Sequence, residues 1–314
     1  MTKRSRNGLI TRAIEQFEEQ ADKEGPVSGS KTDLPAVTFG RPLIGGILEQ
    51  IGKLRQEDIA RVLKLQEDGL EPFGQIAIKH NLVVEADVQQ ALSIQSGYSL
   101  AYPVDHYFSR ELRAAYDPFS QHVDAIRSLR TELLGRWIDN HNKIVAIVSP
   151  ERHEGRSYLA ANLAVIFAHV GCRTLLIDAD FRFPTQHHIF KTQNRSGLSS
   201  LLGGRFTPEN IATEVPVFRS LRVLVSGPAA PNPVDLLAST MFAVALTKLK
   251  QRFDVILVDT PCNLYPEALS IASRADRIVM VMRKHRTRMT AANEMKARWS
   301  GISGKLIGCV LSDF

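Results

Sequence analysis

The chain has 314 residues, of which 44% are hydrophobic and 23% are charged, and this composition is typical of a folded protein with room for two domains. The three cysteines are odd in number and widely spaced, and no apolar run approaches the roughly 20 residues that span a bilayer, which excludes a disulfide framework, a secreted protein and a membrane-spanning one. The formal net charge of +6 comes without interleaved aromatic residues, so we expect no nucleic-acid partner and a cytoplasmic location.

The first predicted elements form a basic arm followed by an internal repeat. Residues 1–40 begin with a basic cluster and pass into a Gly-, Pro- and Ser-rich stretch, which indicates a flexible arm and linker. Each residue of 44–66 then aligns without gaps on the residue 29 positions later, in 73–95. The matching apolar positions fit short helices with one buried face, so we expect a small helical tandem-repeat domain over residues 41–97. Residues 98–116 are expected to be a connector.

Residues 117–314 show a different pattern, in which apolar runs alternate with helix-length segments. Continuous apolar strands of this kind predict a doubly wound, mostly parallel α/β sheet with helices on both faces. Ligands of such sheets bind at the carboxyl ends of the strands. The predicted strands are 143–149, 173–179, 221–226, 254–260, 276–282 and 305–311.

The segment Ser149–Ser157, with the sequence SPERHEGRS, has the order of a phosphate-binding loop. In such a loop, backbone N–H groups at a helix N-terminus hold phosphates, a cation reaches the terminal phosphates, and a Ser or Thr hydroxyl holds Mg²⁺. Pro150 departs from the usual pattern, and Arg156 stands where lysine is usual. The residues expected to bind the nucleotide are Glu154, Gly155, Arg156, Ser157 and Tyr158.

Three carboxylates follow predicted strands and are expected at the same edge of the sheet as this loop. Asp178 and Asp180 follow the second strand, and Asp259 follows a later one. Mg²⁺ prefers a few carboxylates together with waters and substrate phosphates, so these side chains suit a bound Mg·ATP. A single Asp at a strand end is equally consistent with a helix cap. Three of them beside a phosphate-binding loop favour a catalytic site.

Together these motifs resemble the bacterial tyrosine kinases (BY-kinases) of exopolysaccharide synthesis, in particular the EpsG-type chain-length-determinant kinases, whose P-loop sheet is shared with the MinD/ParA ATPases. The resemblance covers residues 117–314. It implies ATP and Mg²⁺ as cofactors, with Ser157, Asp178 and Asp259 organising the metal and Asp180 acting as base or metal-orienting carboxylate for the incoming tyrosine. The motifs are Walker A at 149–157, Walker A′ at 175–182, Walker B at 255–261, GLSSLLGG at 197–204 and PNPVDLLAS at 231–239.

The resemblance also extends to assembly and partners. Asp124, Arg127 and Arg130 lie at spacings that place them on one helical face, and they resemble the family motif E-x-x-R-x-x-R with Asp for Glu. This motif implies self-assembly into a ring, although a solvated charged face has the same pattern. The family further implies a transmembrane polysaccharide chain-length regulator as partner, which would recruit this chain to the inner membrane.

Departures from the family keep alternative functions open. His153 stands where the family has glycine, and the six tyrosines are scattered instead of forming a C-terminal cluster. The expected acceptor is therefore a separate protein or one of Tyr98, Tyr102 and Tyr107. One alternative is a pseudokinase, a regulatory adaptor that binds nucleotide weakly, and another is a MinD/ParA-like ATPase.

The N-terminal repeat resembles the MshEN domain of type II secretion-like ATPases, which binds cyclic di-GMP. The two copies, 43–66 and 72–95, are separated by the five-residue spacer of that family, 67–71. The arginine that begins each copy in the family is replaced by Leu43 in one copy and by Pro72 in the other, and a family glycine is replaced by Asn81. We expect a structural or docking module with at most modest affinity for cyclic di-GMP.

Overall fold

The computed structural model describes residues 43–66, 71–95, 107–208 and 211–313. The predicted arm, residues 1–40, and part of the predicted connector, residues 98–106, lie outside this part of the chain.

The repeat forms two helix pairs of equal design. Its helices are α1 (Ile44–Gln50), α2 (Gln56–Gln66), α3 (Phe73–Lys79) and α4 (Glu85–Gln95). Helix α1 of the first copy packs on α4 of the second, and α2 packs on α3. The buried side chains of both copies, among them Leu48, Val62 and Ala91, therefore form one shared core. Each copy therefore buries its apolar helix faces against the other copy.

The two copies also share their turn chemistry. Gly52 and Asn81, which are equivalent positions after α1 and α3, both adopt positive φ, at 71° and 54°. Asparagine tolerates this left-handed conformation better than most residues, so Asn81 keeps the turn that glycine makes in the first copy. Asp58 and Asp87 cap α2 and α4 by accepting backbone N–H bonds from Arg55 and Val84, at 3.3 and 3.1 Å.

The C-terminal part contains a sheet with helices on both faces. Its strands are β1 (Ile144–Val148), β2 (Thr174–Asp178), β3 (Thr213–Val215), β4 (Phe218–Leu224), β5 (Val255–Asp259), β6 (Arg277–Arg283) and β7 (Leu306–Ser312). Its helices are α5 (Arg113–Tyr116), α6 (Gln121–Arg136), α7 (Arg156–Ala168), α8 (Gln186–Ile189), α9 (Leu198–Leu202), α10 (Pro233–Ala238), α11 (Thr240–Lys250), α12 (Pro266–Arg274) and α13 (Met289–Arg298), followed by a 3-10 helix, Ser300–Lys305.

The strands are ordered β3-β4-β2-β5-β1-β6-β7, and every neighbouring pair is parallel except β3 with β4. The predicted mostly parallel α/β sheet of P-loop NTPase type is therefore confirmed. Strand β3 was not predicted, because its residues are few and largely exposed and so lack the continuous apolar run of a buried strand.

Alternate residues of the central strands enter two separate cores. Val145 and Ile147 of β1 join the core that includes α7, whereas Ile144, Ala146 and Val148 join the core that includes α11 and α12. This two-sided burial requires apolar residues at every strand position, because successive side chains point to opposite faces. Strands β1, β2 and β5 are buried along their whole length, which fixes the positions of the loops that follow them.

Among the described residues, none of the helices combines the length and apolar character that crossing a bilayer requires.

The close approach of two loops at Gly197 generates a stability prediction. A Cβ atom at Gly197 would lie 2.2 Å from the carbonyl oxygen of Val225 and 2.4 Å from the N atom of Gly227. Both are backbone atoms next to the carboxyl end of β4, so they cannot move aside as a side chain would. We expect Gly197→Ala to lower the free energy of unfolding by about 2–3 kcal/mol or more, measured by denaturant titration.

The matched control is Gly135→Ala. Gly135 lies within α6, and a Cβ atom there would meet nothing within 4 Å. Because alanine favours a helix over glycine, this variant should gain about 0.5–1 kcal/mol. Equal stability of the two variants would contradict the close approach.

Candidate active site

The predicted phosphate-binding loop joins the end of β1 to the start of α7. His153 and Gly155 both have positive φ, at 60° and 92°. Position 153 therefore has the conformation that a family glycine would supply without strain, and His153 adopts it at some conformational cost. The first N–H groups of α7 have no partner within the helix, as at every helix N-terminus, and they are available to an anion.

The guanidinium of Arg156 is buried and joins three loops. Its Nε donates to the carbonyl oxygen of Thr260 at 2.8 Å, and its Nη1 donates to the carbonyl oxygen of Glu151 at 3.1 Å and to the hydroxyl of Ser149. Its Nη2 lies 3.7 Å from Asp180 Oδ2. Arginine thus supplies more donors than lysine would, and it holds the loop against the end of β5.

The loop is also held from the opposite side, by an arrangement we call the Glu154 clasp, formed by Glu154, Thr287 and Ser312. The buried carboxylate of Glu154 accepts the N–H of Glu151 at 2.8 Å and the hydroxyl of Thr287. The hydroxyl of Ser312, at the end of β7, donates to the carbonyl oxygen of Glu154 at 3.0 Å. The clasp therefore connects the loop to the ends of β6 and β7.

Asp178 and Asp259 are register partners in the parallel pair β2 and β5. Asp178 is fully buried, and its oxygens accept the backbone N–H groups of Asp180 at 3.2 Å and of Thr185 and Gln186 at 3.0 Å each. Burial raises the pKa of Asp178 well above its usual range, and the neighbouring Asp259 carboxylate raises it further. Asp178 thereby shapes the loop that follows β2.

Asp259 is also fully buried, but its hydrogen bonding is incomplete. Its Oδ2 accepts the side-chain amide of Gln186 at 2.8 Å, while its Oδ1 has no hydrogen-bond partner among the described residues. Burial raises the pKa of Asp259 to about 6, although the Arg156 guanidinium, the Gln186 amide and the nearby Ser157 hydroxyl each oppose that rise. Asp259 therefore offers a carboxylate oxygen at the loop.

Asp180 is buried beside the loop, at the carboxyl edge of the sheet. Its Oδ1 accepts the N–H groups of Arg182 at 3.2 Å and of Phe183 at 3.0 Å, and its Oδ2 faces Arg156. Two cation–aromatic pairs follow at this edge. The Arg152 guanidinium carbon lies 3.7 Å from the ring centre of Phe183, and that of Arg182 lies 4.5 Å from the ring centre of Tyr265.

The structure brings most of the predicted site residues together. Arg156 contacts Asp180 directly and the end of β5 through Thr260, and Ser157 lies close to Asp259. The side chain of Tyr158, in contrast, packs half-buried against the core that includes α7, and burial raises its pKa. A phosphate contact of Tyr158 would have to come from its backbone.

The oxygen donors of the site suit Mg²⁺, which takes only some of its ligands from the protein. No three His, Cys, Asp or Glu side chains in the described part of the chain are grouped as a metal cage. Mg²⁺ commonly binds one or two carboxylates and completes its shell with phosphates and waters. The unpartnered Oδ1 of Asp259 and the Ser157 hydroxyl provide such a partial set.

The predicted oligomerisation residues lie on α6, away from the loop. Arg127 pairs with Asp124 and also donates to the carbonyl oxygen of Pro118. Arg130 donates to the carbonyl oxygen of Ile166 on α7 at 3.4 Å. These contacts orient both arginines within the chain.

Two residues of the site were not predicted from the sequence. Gln186 donates to both Ser157 and Asp259, and Thr287 completes the Glu154 clasp. Neither residue carries a sequence signal, because a lone Gln or Thr after a strand has many structural roles.

Known proteins of two kinds are similar to this chain. The family profile described as "ATPase MipZ" matches residues 144–285. The Staphylococcus aureus protein described as "Putative tyrosine-protein kinase CapB" is 35% identical over 196 residues, which are 62% of this chain and 86% of CapB. The tyrosine-protein kinase YwqD of Bacillus subtilis is 34% identical over 204 residues, which are 65% of this chain and 86% of YwqD.

A solved structure gives a similar result. The BceF tyrosine kinase domain is 30% identical to this chain with a TM-score of 0.59, and the match covers 73% of this chain and 89% of that domain.

The buried contacts of Arg156 generate a second stability prediction. Arg156→Met removes the donors to Thr260 and Glu151 and leaves Asp180 without its buried cation. We expect it to lower the free energy of unfolding by about 3 kcal/mol or more, because the unpaired groups stay buried. Arg156→Lys keeps the charge and should recover part of this loss.

Arg136→Met serves as the control for Arg156→Met. Arg136 pairs with Glu132 on the exposed side of α6, and such pairs contribute about 0.5 kcal/mol or less. A similar small change for Arg156→Met in denaturant titrations would refute a structural role for the guanidinium.

Proposed function

The chain belongs to the family of bacterial tyrosine-protein kinases, and we propose that it transfers the γ-phosphoryl group of Mg·ATP to a tyrosine of a protein in exopolysaccharide synthesis or export. The observation that carries this proposal is the joint placement of the phosphate-binding loop and of Asp178, Asp180 and Asp259 at the carboxyl ends of β1, β2 and β5. Phosphoryl transfer requires mainly positioning and charge neutralisation, and this edge of the sheet provides both.

The residues have separate roles in the proposed reaction. The backbone N–H groups at the start of α7 and the Arg156 guanidinium bind the phosphates, and the Ser157 hydroxyl and Asp259 hold Mg²⁺, which neutralises phosphate charge when bound. Asp180 accepts the proton of the incoming tyrosine hydroxyl or orients it. Three of the five N–H donors of the Arg156 guanidinium go to Thr260, Ser149 and Glu151, and the two on Nη2 make the contact to the phosphates.

The acceptor is proposed to lie on another protein or on this chain near residue 107. Tyr107 is 43% exposed, so this residue lies at the surface. Tyr98 and Tyr102, the other expected acceptors, lie outside the described residues. Tyr116 is a poor acceptor because its hydroxyl bonds to the backbone of Phe108 at 2.8 and 2.9 Å.

The proposed reaction predicts a large effect at Asp180. Asp180→Asn keeps the shape of the side chain but removes its ability to accept a proton, so we expect phosphotyrosine formation to slow by about 100-fold or more. The measurement is incubation of the full chain with labelled ATP and Mg²⁺, followed by phosphosite mapping. The control is Asp139→Asn, which changes an exposed residue before β1, at the opposite edge of the sheet.

Two results would contradict the kinase assignment. One is phosphotyrosine formation by Asp180→Asn at the wild-type rate. The other is a wild-type chain that binds Mg·ADP but forms no phosphotyrosine with any acceptor, which would favour the regulatory adaptor. ATP hydrolysis without phosphotyrosine would favour the MinD/ParA-like ATPase.

We further propose that α6 mediates assembly of the chain into a ring and that a transmembrane chain-length regulator recruits the ring to the inner membrane. Support comes from the placement of Asp124, which is exposed on α6 while it pairs with Arg127. The pair presents both charges on one helical face.

Assembly through α6 is expected to depend on the negative charge of Asp124. Asp124→Arg places like charges beside Arg127, so we expect the assembled species to dissociate to the 34.9 kDa monomer in light-scattering measurements. Glu132→Arg, on the same helix and also exposed, should leave assembly unchanged. Loss of assembly by both variants, or by neither, would argue against the motif.

For the helical repeat we propose partner docking, with at most modest affinity for cyclic di-GMP. Its start positions, Leu43 and Pro72, supply no cation for a guanine or a phosphate. A calorimetric titration that showed tight cyclic di-GMP binding would contradict this assignment.

A further inference from the structure

Gln186 connects the helix that follows the phosphate-binding loop with the carboxylate at the end of β5. It is the first residue of α8, and it is fully buried. Its side-chain Nε2 donates to the carbonyl oxygen of Ser157 at 3.1 Å and to Asp259 Oδ2 at 2.8 Å. Both partners are acceptors, so only the NH₂ end of the amide can face them, and its orientation is fixed by this network.

This arrangement leaves two buried oxygens without a donor. Gln186 Oε1 and Asp259 Oδ1 have no hydrogen-bond partner among the described residues. A buried acceptor that lacks a partner costs about 1–3 kcal/mol, so native proteins rarely keep two of them together. The pair indicates that a cation, or water bound to one, completes the site.

Asp178 differs from Asp259 in this respect. Its two oxygens are taken by the N–H groups of Asp180, Thr185 and Gln186. Gln186 therefore bonds to both carboxylates, to Asp178 through its backbone and to Asp259 through its side chain. Asp178 fixes where Gln186 lies, and Gln186 then fixes how Asp259 is turned.

We propose that Gln186 is a positioning residue for the metal: its amide holds Oδ2 of Asp259 so that Oδ1 faces the Mg²⁺ of the bound nucleotide, and its own Oε1 accepts a hydrogen from a metal-bound water. This inference deepens the proposed function and rests on it. It also divides the work of the strand-end carboxylates, since Asp259 contacts the metal shell while Asp178 holds the loop.

The test separates metal affinity from nucleotide affinity. ADP is titrated into the full chain by calorimetry, once with Mg²⁺ and once with a chelator, for wild type and for Gln186→Leu. Removing an outer-shell partner of a metal ligand typically lowers metal affinity about 10- to 100-fold. We expect Gln186→Leu to lose the magnesium-dependent gain in ADP affinity by that factor, while its metal-free ADP affinity stays within about twofold of wild type.

A second readout uses Mn²⁺ as a paramagnetic probe. Electron paramagnetic resonance titration of Mn²⁺ into the ADP complex should show weaker metal binding by the same factor for Gln186→Leu. Gln193→Leu is the matched control, because it makes the same substitution at an exposed position seven residues further along the chain. It should match wild type in both measurements.

The variants distinguish the possible failures. Equal magnesium dependence in wild type and Gln186→Leu would overturn the role of Gln186 alone, whereas a wild-type chain without magnesium-dependent ADP binding would overturn the proposed function and this inference with it. Gln186→Glu replaces the donor with a second carboxylate against Asp259, so it should also weaken Mn²⁺ binding; tighter binding would show that the oxygen acts as a direct ligand and would overturn the positioning role. If Gln186→Leu fails to fold, Gln186→Met, which has similar length and no donor, makes the same comparison.

Discussion

The site depends on the hydrogen bonds and the ion pair that the buried guanidinium of Arg156 makes. The guanidinium crosses from the first turn of α7 to the carbonyl oxygens of Glu151 and Thr260 and to the carboxylate of Asp180. These groups belong to the loops after β1, β5 and β2, so one side chain contacts all three loops. A buried cation is tolerated only where acceptors surround it, so the substitution of arginine for lysine and the arrangement of these loops depend on each other.

The sheet could be predicted from the sequence because its central strands are apolar at every position. Such runs are required when helices cover both faces, and they identify a parallel strand without knowledge of its neighbours. The short strand β3 has no such run, and the order of the strands depends on long-range packing that local pattern does not encode. The helical repeat was predictable for a different reason. Its two copies have apolar residues at equivalent positions, so each copy supports the helices predicted for the other.

The site residues that directly follow a strand could be predicted from the sequence. The residues that bond to a partner far away in the sequence could not. Asp178 and Asp259 follow apolar runs, and the parallel sheet places them side by side. Gln186 lies far along the chain from Asp259, and Thr287 far from Glu154, so their hydrogen bonds exist only in the folded chain. The direction of a side chain on a helix is also set by packing.

The Glu154 clasp explains how a phosphate-binding loop can lose glycines and keep its shape. Glycine-rich loops reach their shape through the conformational freedom of their own backbone. This loop is instead held in place by hydrogen bonds of Glu154 with Thr287 and Ser312, which follow β6 and end β7. The shape of the loop is then set in part by Thr287 and Ser312, which lie far along the chain, and not by the backbone of the loop alone.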